Sequence, residues 1–254
     1  ILACRALGWK DIPSRILPKE TAPLVCLKMA IADNLWTRAL NPLESALAVV
    51  KLAELLPERR ELAAAAKDRL RSLLGLGDNW SILFLQGGAS LQFYQVPLNF
   101  LRPDETADYL ITGRWSVKAI REARSVGNAR EVASSEDENF SYIPDRTTWD
   151  LDPDAAYLHF TSNETVNGIQ VQETPEVDVP LVTDASSDFL SRPIDLEKYG
   201  LIYAGAQKNI GPAGVTVVLV RNDFLEELTA NLTTMLDYGT HVAGTFNTPP
   251  LFAV

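Results

Sequence analysis

Two periods of apolar residues alternate along this chain. Asn41 followed by Pro42 has the form of an N-cap with proline at the first helical position, and the Ala/Leu-rich stretch to Leu56, stopped by Pro57, predicts a helix. A second helix is expected where Leu62, Ala66, Leu70 and Leu73 keep helical spacing, with Gly75 and Gly77 ending it. Short apolar runs then follow, each closing on polar or glycine residues. SILFLQ leads through GGAS into LQFYQVPLNFL, read as strand, tight glycine turn and helix start, and DYLITG leads into WSVKAIREAR; AAYLHFTSNET, VPLVTDASS, YGLIYAGAQK and GVTVVLVRNDFLEEL continue the series. Strands this apolar are buried on both faces, so their alternation with helical and loop segments predicts an α/β fold, a three-layer sandwich built on a mostly parallel sheet. Residues 1 to about 40 mix Pro, Trp and charge without a period and predict no element.

Polar residues gather where the strands end, and in open α/β sheets ligands bind at that carboxyl edge. Gly87 to Ser90, Thr161 to Thr165, Asp184 to Ser187 and Gln207 to Lys208 are therefore expected to converge on one crevice. GGAS, between a strand and a helix, offers free backbone N–H groups at a positive helix end; a plain tight turn would have the same form. Asp184 closes the apolar run PLVT, where a desolvated carboxylate needs a cation or donors, or else caps the following turn. Lys208 ends an apolar strand and is the only lysine after Lys198; a free amine there would serve as nucleophile or base, the alternative being a lysine that reaches out to solvent. Asp184 and Lys208 lie 208 − 184 = 24 residues apart, about right for two strands and a connection that bring both to one edge. A phosphate cradle, a carboxylate for a ring nitrogen, an aromatic to stack (Trp115) and a lysine amine together describe a pyridoxal phosphate site.

The other polar residues change this picture little. His159, inside AYLHF, reads as a core histidine, and His241 falls in a loop-like stretch; no spacing suggests a metal. Arg114 and Arg192 have the chemistry to bind carboxylate or phosphate, although a surface arginine is the commoner outcome. With 33 acidic against 23 basic residues the net charge is −10, which excludes a sequence-independent grip on nucleic acid or anionic lipid and leaves any anionic ligand to local donors. Two cysteines, Cys4 and Cys26, are too few for a disulfide scaffold and fit a reducing compartment. The apolar stretches are broken by charge within about ten residues, short of the roughly 20 a membrane helix needs, and no signal pattern opens the chain. A cytoplasmic protein is expected. The chain opens on Ile1 and closes inside the apolar run PPLFAV, the form expected of a fragment.

LFLQGGASLQF, TSNETVNGIQ, SSDFLSRPID, YAGAQKNIGPAGVTVV and FNTPP resemble the phosphoserine aminotransferase family, over residues 58 to 254. The resemblance implies a fold-type I, class V enzyme dependent on pyridoxal phosphate that exchanges the amino group between glutamate and 3-phosphohydroxypyruvate, giving O-phosphoserine and 2-oxoglutarate. Serine biosynthesis, and in many bacterial members pyridoxine biosynthesis, would be its setting. Lys208 then matches the lysine that carries the cofactor, and Gln207, Ala89 and Ser90 match phosphate ligands. Trp115 matches the stacking aromatic, Thr165 the hydroxyl at the ring oxygen, and Asp184 the partner of the ring nitrogen. Asn247 and Thr248 match residues that reach the other subunit's cofactor, which implies a homodimer. Residues 1–57 carry neither the family's NFSAGP-like opening nor its Ser-His-Arg segment, so they stand as an unmatched segment before a large domain at 58–254. The family's C-terminal small domain is expected to be absent, and with it substrate-binding arginines. Slow turnover, or a non-catalytic cofactor-binding fragment, is the corresponding expectation. Other class V enzymes such as cysteine desulfurases share the lysine and aspartate but lack these strings, and a nucleotide-binding reading lacks an acidic ribose ligand at the needed distance.

Overall fold

The computed structural model describes residues 59–211, 213–229 and 232–243. The chain divides into two compact units, Ile1–Arg60 and Glu61–Val254, and the described residues fall almost wholly in the second. The helix expected from Asn41 to Leu56 lies outside them.

The second predicted helix is α1 (Arg59–Leu74). Ala66, Leu70 and Leu74 pack on the core, whereas Leu73, counted above on the apolar face, is 69% exposed. The successive elements are β1 (Trp80–Leu85), α2 (Gly88–Phe100), β2 (Thr106–Ile111), α3 (Arg114–Arg124), β3 (Asn128–Ser134) and β4 (Leu158–Thr161). A two-stranded hairpin, β5 (Asn163–Glu164) and β6 (Ile169–Gln170), is followed by β7 (Leu181–Asp184), β8 (Tyr199–Gly205) and β9 (Thr216–Arg221). The short helices α4 (Asn222–Leu225) and α5 (Tyr238–Val242) close the described part.

Seven strands form one sheet in the order β1-β9-β8-β7-β4-β2-β3. The four pairings from β8 to β3 are parallel, and β9 runs antiparallel to both β8 and β1. β9 is thus the one reversed strand among those described, because the connection Ala206–Val215 has no helix among its described residues and falls short of the dozen or more residues a parallel crossover takes. The other six strands share one direction and deliver their carboxyl ends to one edge.

Alternation within each strand feeds two cores. Tyr109, Val182, Leu201, Tyr203 and Val218 face Phe93, Val96 and Phe100 of α2 and Ala119, Ile120 and Ala123 of α3. Leu110, Leu158, Phe160, Leu181, Ile202 and Leu219 face the opposite side, covered by α1 and the irregular segments around Ile143, Val177 and Ile194. Every residue of β8 is buried, as the continuous apolar run predicts. These are the three layers expected.

His159 is a core residue: its Nε2 lies 2.9 Å from the Tyr203 hydroxyl, its ring stacks on Tyr109 at 4.8 Å, and burial drives its pKa down to about 3. His241, expected in a loop, sits instead in α5. That turn is helical because the Asp237 carboxylate caps the Gly239 and Thr240 amides, at 2.8 and 3.2 Å.

Candidate active site

All four polar clusters expected at the strand ends meet at the carboxyl edge. Between them lies a cavity of about 320 Å³, lined by Gly87 to Ser90, Trp115, Asn163, Asp184, Ser186, Ser187, Gln207 and Lys208, with Ala213 to Val215 at the entry to β9.

Two helix N-termini point to this edge, and they differ. At α2 the N-cap is Gly87, with φ 90°, a conformation that side chains rarely adopt, and an added Cβ would sit 2.4 Å from the Leu91 side chain. Glycine is required there, so no side chain caps the helix, and no acidic residue occupies its first turn. Gly205 lets that end seat on the sheet, since a Cβ on it would meet the Ala89 amide nitrogen at 3.0 Å. The amides of Gly88, Ala89 and Ser90 thus begin a helix that, among the described residues, has neither a side-chain cap nor an acidic first turn to neutralise them.

At α3 the N-terminus is filled. The Glu164 carboxylate, wholly buried, accepts from the Trp115 amide at 2.8 Å, the Ser116 amide at 2.7 Å and the Ser116 hydroxyl at 2.7 Å. Gly113 makes room, because a Cβ there would lie 2.6 Å from Glu164 Cγ and Cδ. Asn167 adds a bond from the Arg114 amide, 3.3 Å. The 164–167 turn thereby fixes Trp115 in the cavity wall. Sequence reasoning singled out Trp115 and Thr165 but missed Glu164 as a distinct contributor.

Asp184 ends β7 at 4% exposure. Its Oδ1 accepts from the Ser186 amide at 2.9 Å and the Ser186 hydroxyl at 2.6 Å, and that hydroxyl also receives the Gly205 amide at 2.9 Å. Burial pushes the carboxyl up to about 6; the Ser186 bonds and the Lys208 charge pull it back, and the Glu164 charge pushes it further up. The turn-capping role and the desolvated carboxylate, posed as alternatives above, both hold.

Lys208 leaves the β8–β9 connection into the same cavity. Its Nζ donates to Thr165 Oγ1 at 2.5 Å and Ser187 Oγ at 2.8 Å, and lies 5.6 Å from the centre of the Trp115 ring. Ser187 was inside a predicted cluster but had no role of its own; a serine run after a strand-end aspartate is the available signal.

The arginines weighed above stand apart. Arg192 spends its guanidinium on the Val171 and Gln172 carbonyls, and Arg114 opens α3 outside the cavity lining. Asn247 and Thr248 lie outside the described residues. No cluster of His, Cys, Asp or Glu among the described residues has metal-site geometry, and no described helix is long and apolar enough to cross a membrane.

The sequence pattern of the family described as Aminotransferase class-V matches residues 44–251. The chain belongs to the class-V aminotransferases. Its similarity is to phosphoserine aminotransferases in particular. The one from Laribacter hongkongensis is 50% identical over 83% of this chain and 59% of its own length, and that of Geobacillus kaustophilus 46% identical over 90% and 64%. The solved PLP-bound phosphoserine aminotransferase of Trichomonas vaginalis superposes with a TM-score of 0.76 at 40% identity, covering 91% of this chain and 68% of that one. This class-V chain thus spans 59% to 64% of the length of these curated relatives. Its mostly parallel seven-stranded sheet is the large domain of fold-type I aminotransferases.

Proposed function

We propose that this chain is the cofactor-binding part of a phosphoserine aminotransferase, with residues 58–254 as its large domain and pyridoxal phosphate as its cofactor. The observation that carries the reading is the convergence of an uncapped helix N-terminus, an indole, a buried carboxylate and a lysine amine on one cavity.

The residues fit that group. The open amides of Gly88, Ala89 and Ser90 suit a phosphate, with Gln207 beside them in the lining. The filled N-terminus of α3 is closed to an anion by Glu164, so only one of the two helix ends is available for it. Asp184, with its basicity raised by burial, suits a ring nitrogen that must stay protonated, and Thr165 and Ser187 hold the Lys208 amine in the cavity. When bound, pyridoxal phosphate supplies an aldehyde that condenses with amines and a protonated ring that draws electrons from the amino-acid carbon.

The protein's own part is then as follows. The α2 amides bind and orient through charge–dipole attraction. Trp115 covers a ring face and keeps water off it. Asp184 holds a proton at the ring nitrogen, and Lys208 Nζ, once free, takes the proton that leaves the substrate α-carbon. Glutamate and O-phosphoserine, with their oxo acids, are the substrates of this reading, and a cytoplasmic homodimer with Asn247 and Thr248 reaching the partner's cofactor is its assembly.

Incubation with pyridoxal phosphate followed by borohydride and peptide mapping tests the reading. A single adduct on Lys208 is expected, and labelling of Lys118 or Lys198 in its place would defeat it. Amino transfer from O-phosphoserine to 2-oxoglutarate tests the substrate assignment separately.

A further inference from the structure

We propose that Ser187 sets the hydrogen-bond polarity around Lys208 so that the amine's lone pair stays free and aimed into the cavity. This rests on the reading of Lys208 as the cofactor lysine.

Valence fixes the polarity. Among the described residues Ser187 Oγ has three neighbours in hydrogen-bond reach: the Asn163 carbonyl at 3.1 Å, Lys208 Nζ at 2.8 Å and Thr165 Oγ1. A hydroxyl has one proton and two lone pairs, and a carbonyl only accepts. The Ser187 proton therefore goes to Asn163 O, and both Ser187 lone pairs receive, one from Lys208 and one from the Thr165 hydroxyl. With its own proton so committed, Thr165 Oγ1 also faces the lysine as an acceptor, 2.5 Å away.

The consequence falls on Lys208. Two of its tetrahedral positions are N–H groups bound to Thr165 and Ser187, and the remaining position points away from both. In the ammonium form that position carries the third proton; in the free amine it carries the lone pair. Neither hydroxyl can donate into it, so the nucleophile is not quenched by its own neighbours. Toward an aldehyde, the Lys208 lone pair would form the C–N bond and the two N–H protons would leave with the carbonyl oxygen as water. Without the Ser187 oxygen, Thr165 loses its acceptor, and its proton is free to turn onto the lysine lone pair. Ser187 touches the reacting amine, unlike Ser186, whose hydroxyl is spent on Asp184 and Gly205.

The test compares the full chain with Ser187→Ala and Ser187→Thr in two measurements: the rate at which pyridoxal phosphate is captured on Lys208, read by absorbance and by borohydride trapping, and the affinity for pyridoxine 5′-phosphate. That analogue has an alcohol where the aldehyde stands, so it occupies the site without calling on the amine as nucleophile. Ser187→Ala is expected to slow capture by about fivefold, the worth of one hydrogen bond of roughly average strength. Analogue affinity should stay within about twofold, and Ser187→Thr should restore the rate. Unchanged capture in Ser187→Ala, with wild type labelled on Lys208, would overturn the Ser187 inference and leave the functional reading standing. Equal loss of analogue affinity and capture would assign Ser187 a packing role and overturn the inference as well. Failure of the wild-type chain to label Lys208 would overturn both.

Discussion

Asp184 shows what burying a strand-end carboxylate costs. Its pKa of about 6, against 3.8 for an ordinary aspartate, means the fold holds the proton more tightly than the unfolded chain does. The sign follows: Asp184's contribution to the stability of the cofactor-free fold is greatest below about pH 4, where the group is protonated in both states, and is lost as pH rises through about 6. At about 1.4 kcal/mol per unit the loss is on the order of 3 kcal/mol at pH 8. Cofactor-free Asp184→Asn, keeping its carbonyl oxygen toward Ser186, should therefore resist urea better than wild type near pH 8, by about 1 to 3 kcal/mol, and show no gain near pH 4. Urea titrations at the two pH values check it, and a pH-independent difference would mean that burial of the charge is not the cause. The same substitution should weaken the cofactor's electron sink, so stability and function move in opposite directions at this residue.

At the scale of elements, the α3 N-terminus is held by one carboxylate against one glycine. Gly113→Ala forces a methyl group to within 2.6 Å of Glu164 Cγ and should cost about 1 to 3 kcal/mol. Glu164→Ala orphans the Trp115 and Ser116 amides and should cost about as much. Together the two should cost less than their sum, since truncating Glu164 removes the clash; a double-mutant cycle by thermal unfolding reads the coupling, and strict additivity would refute this arrangement. None of it was legible beforehand, because Glu164 meets its partners 48 and 49 residues away in sequence. What was legible were the strands and their ends, because continuous apolar runs closed by polar residues are a local signal. The direction of β9 was not, since a strand buried on both faces reads alike either way; only the length of Ala206–Val215 carries the information. The 237–242 turn was missed for a related reason: an Asp cap over so short a segment has no periodicity to announce it.

Taken whole, the molecule collects its site from turns spread between Gly87 and Val215 on a single sheet edge. The overall charge of −10 repels anions at long range, so affinity for a phosphate must be generated within the cavity, by the amides that open α2. Hydrogen bonding within α2 extends this dependence. Asn99 donates to the Leu236 carbonyl at 2.7 Å and accepts from the Tyr238 amide at 3.0 Å, so the helix that bears the open N-terminus is anchored by residues that follow β9.

The position of β1 at the sheet edge has a consequence in time. Among the described strands its one partner in the sheet is β9, and Trp80 pairs with Arg221. At a synthesis rate of roughly 5 to 20 residues per second, the strand that leads into the Gly87 turn waits on the order of ten seconds on the ribosome before its neighbour exists. Lys208 emerges before that neighbour is complete. During synthesis the cofactor therefore meets no assembled pocket until β9 has emerged. Chains stalled on the ribosome before β9 has emerged should leave Lys208 unlabelled by pyridoxal phosphate and borohydride, whereas released full chains should label; equal labelling of the two would show that the pocket assembles without β9.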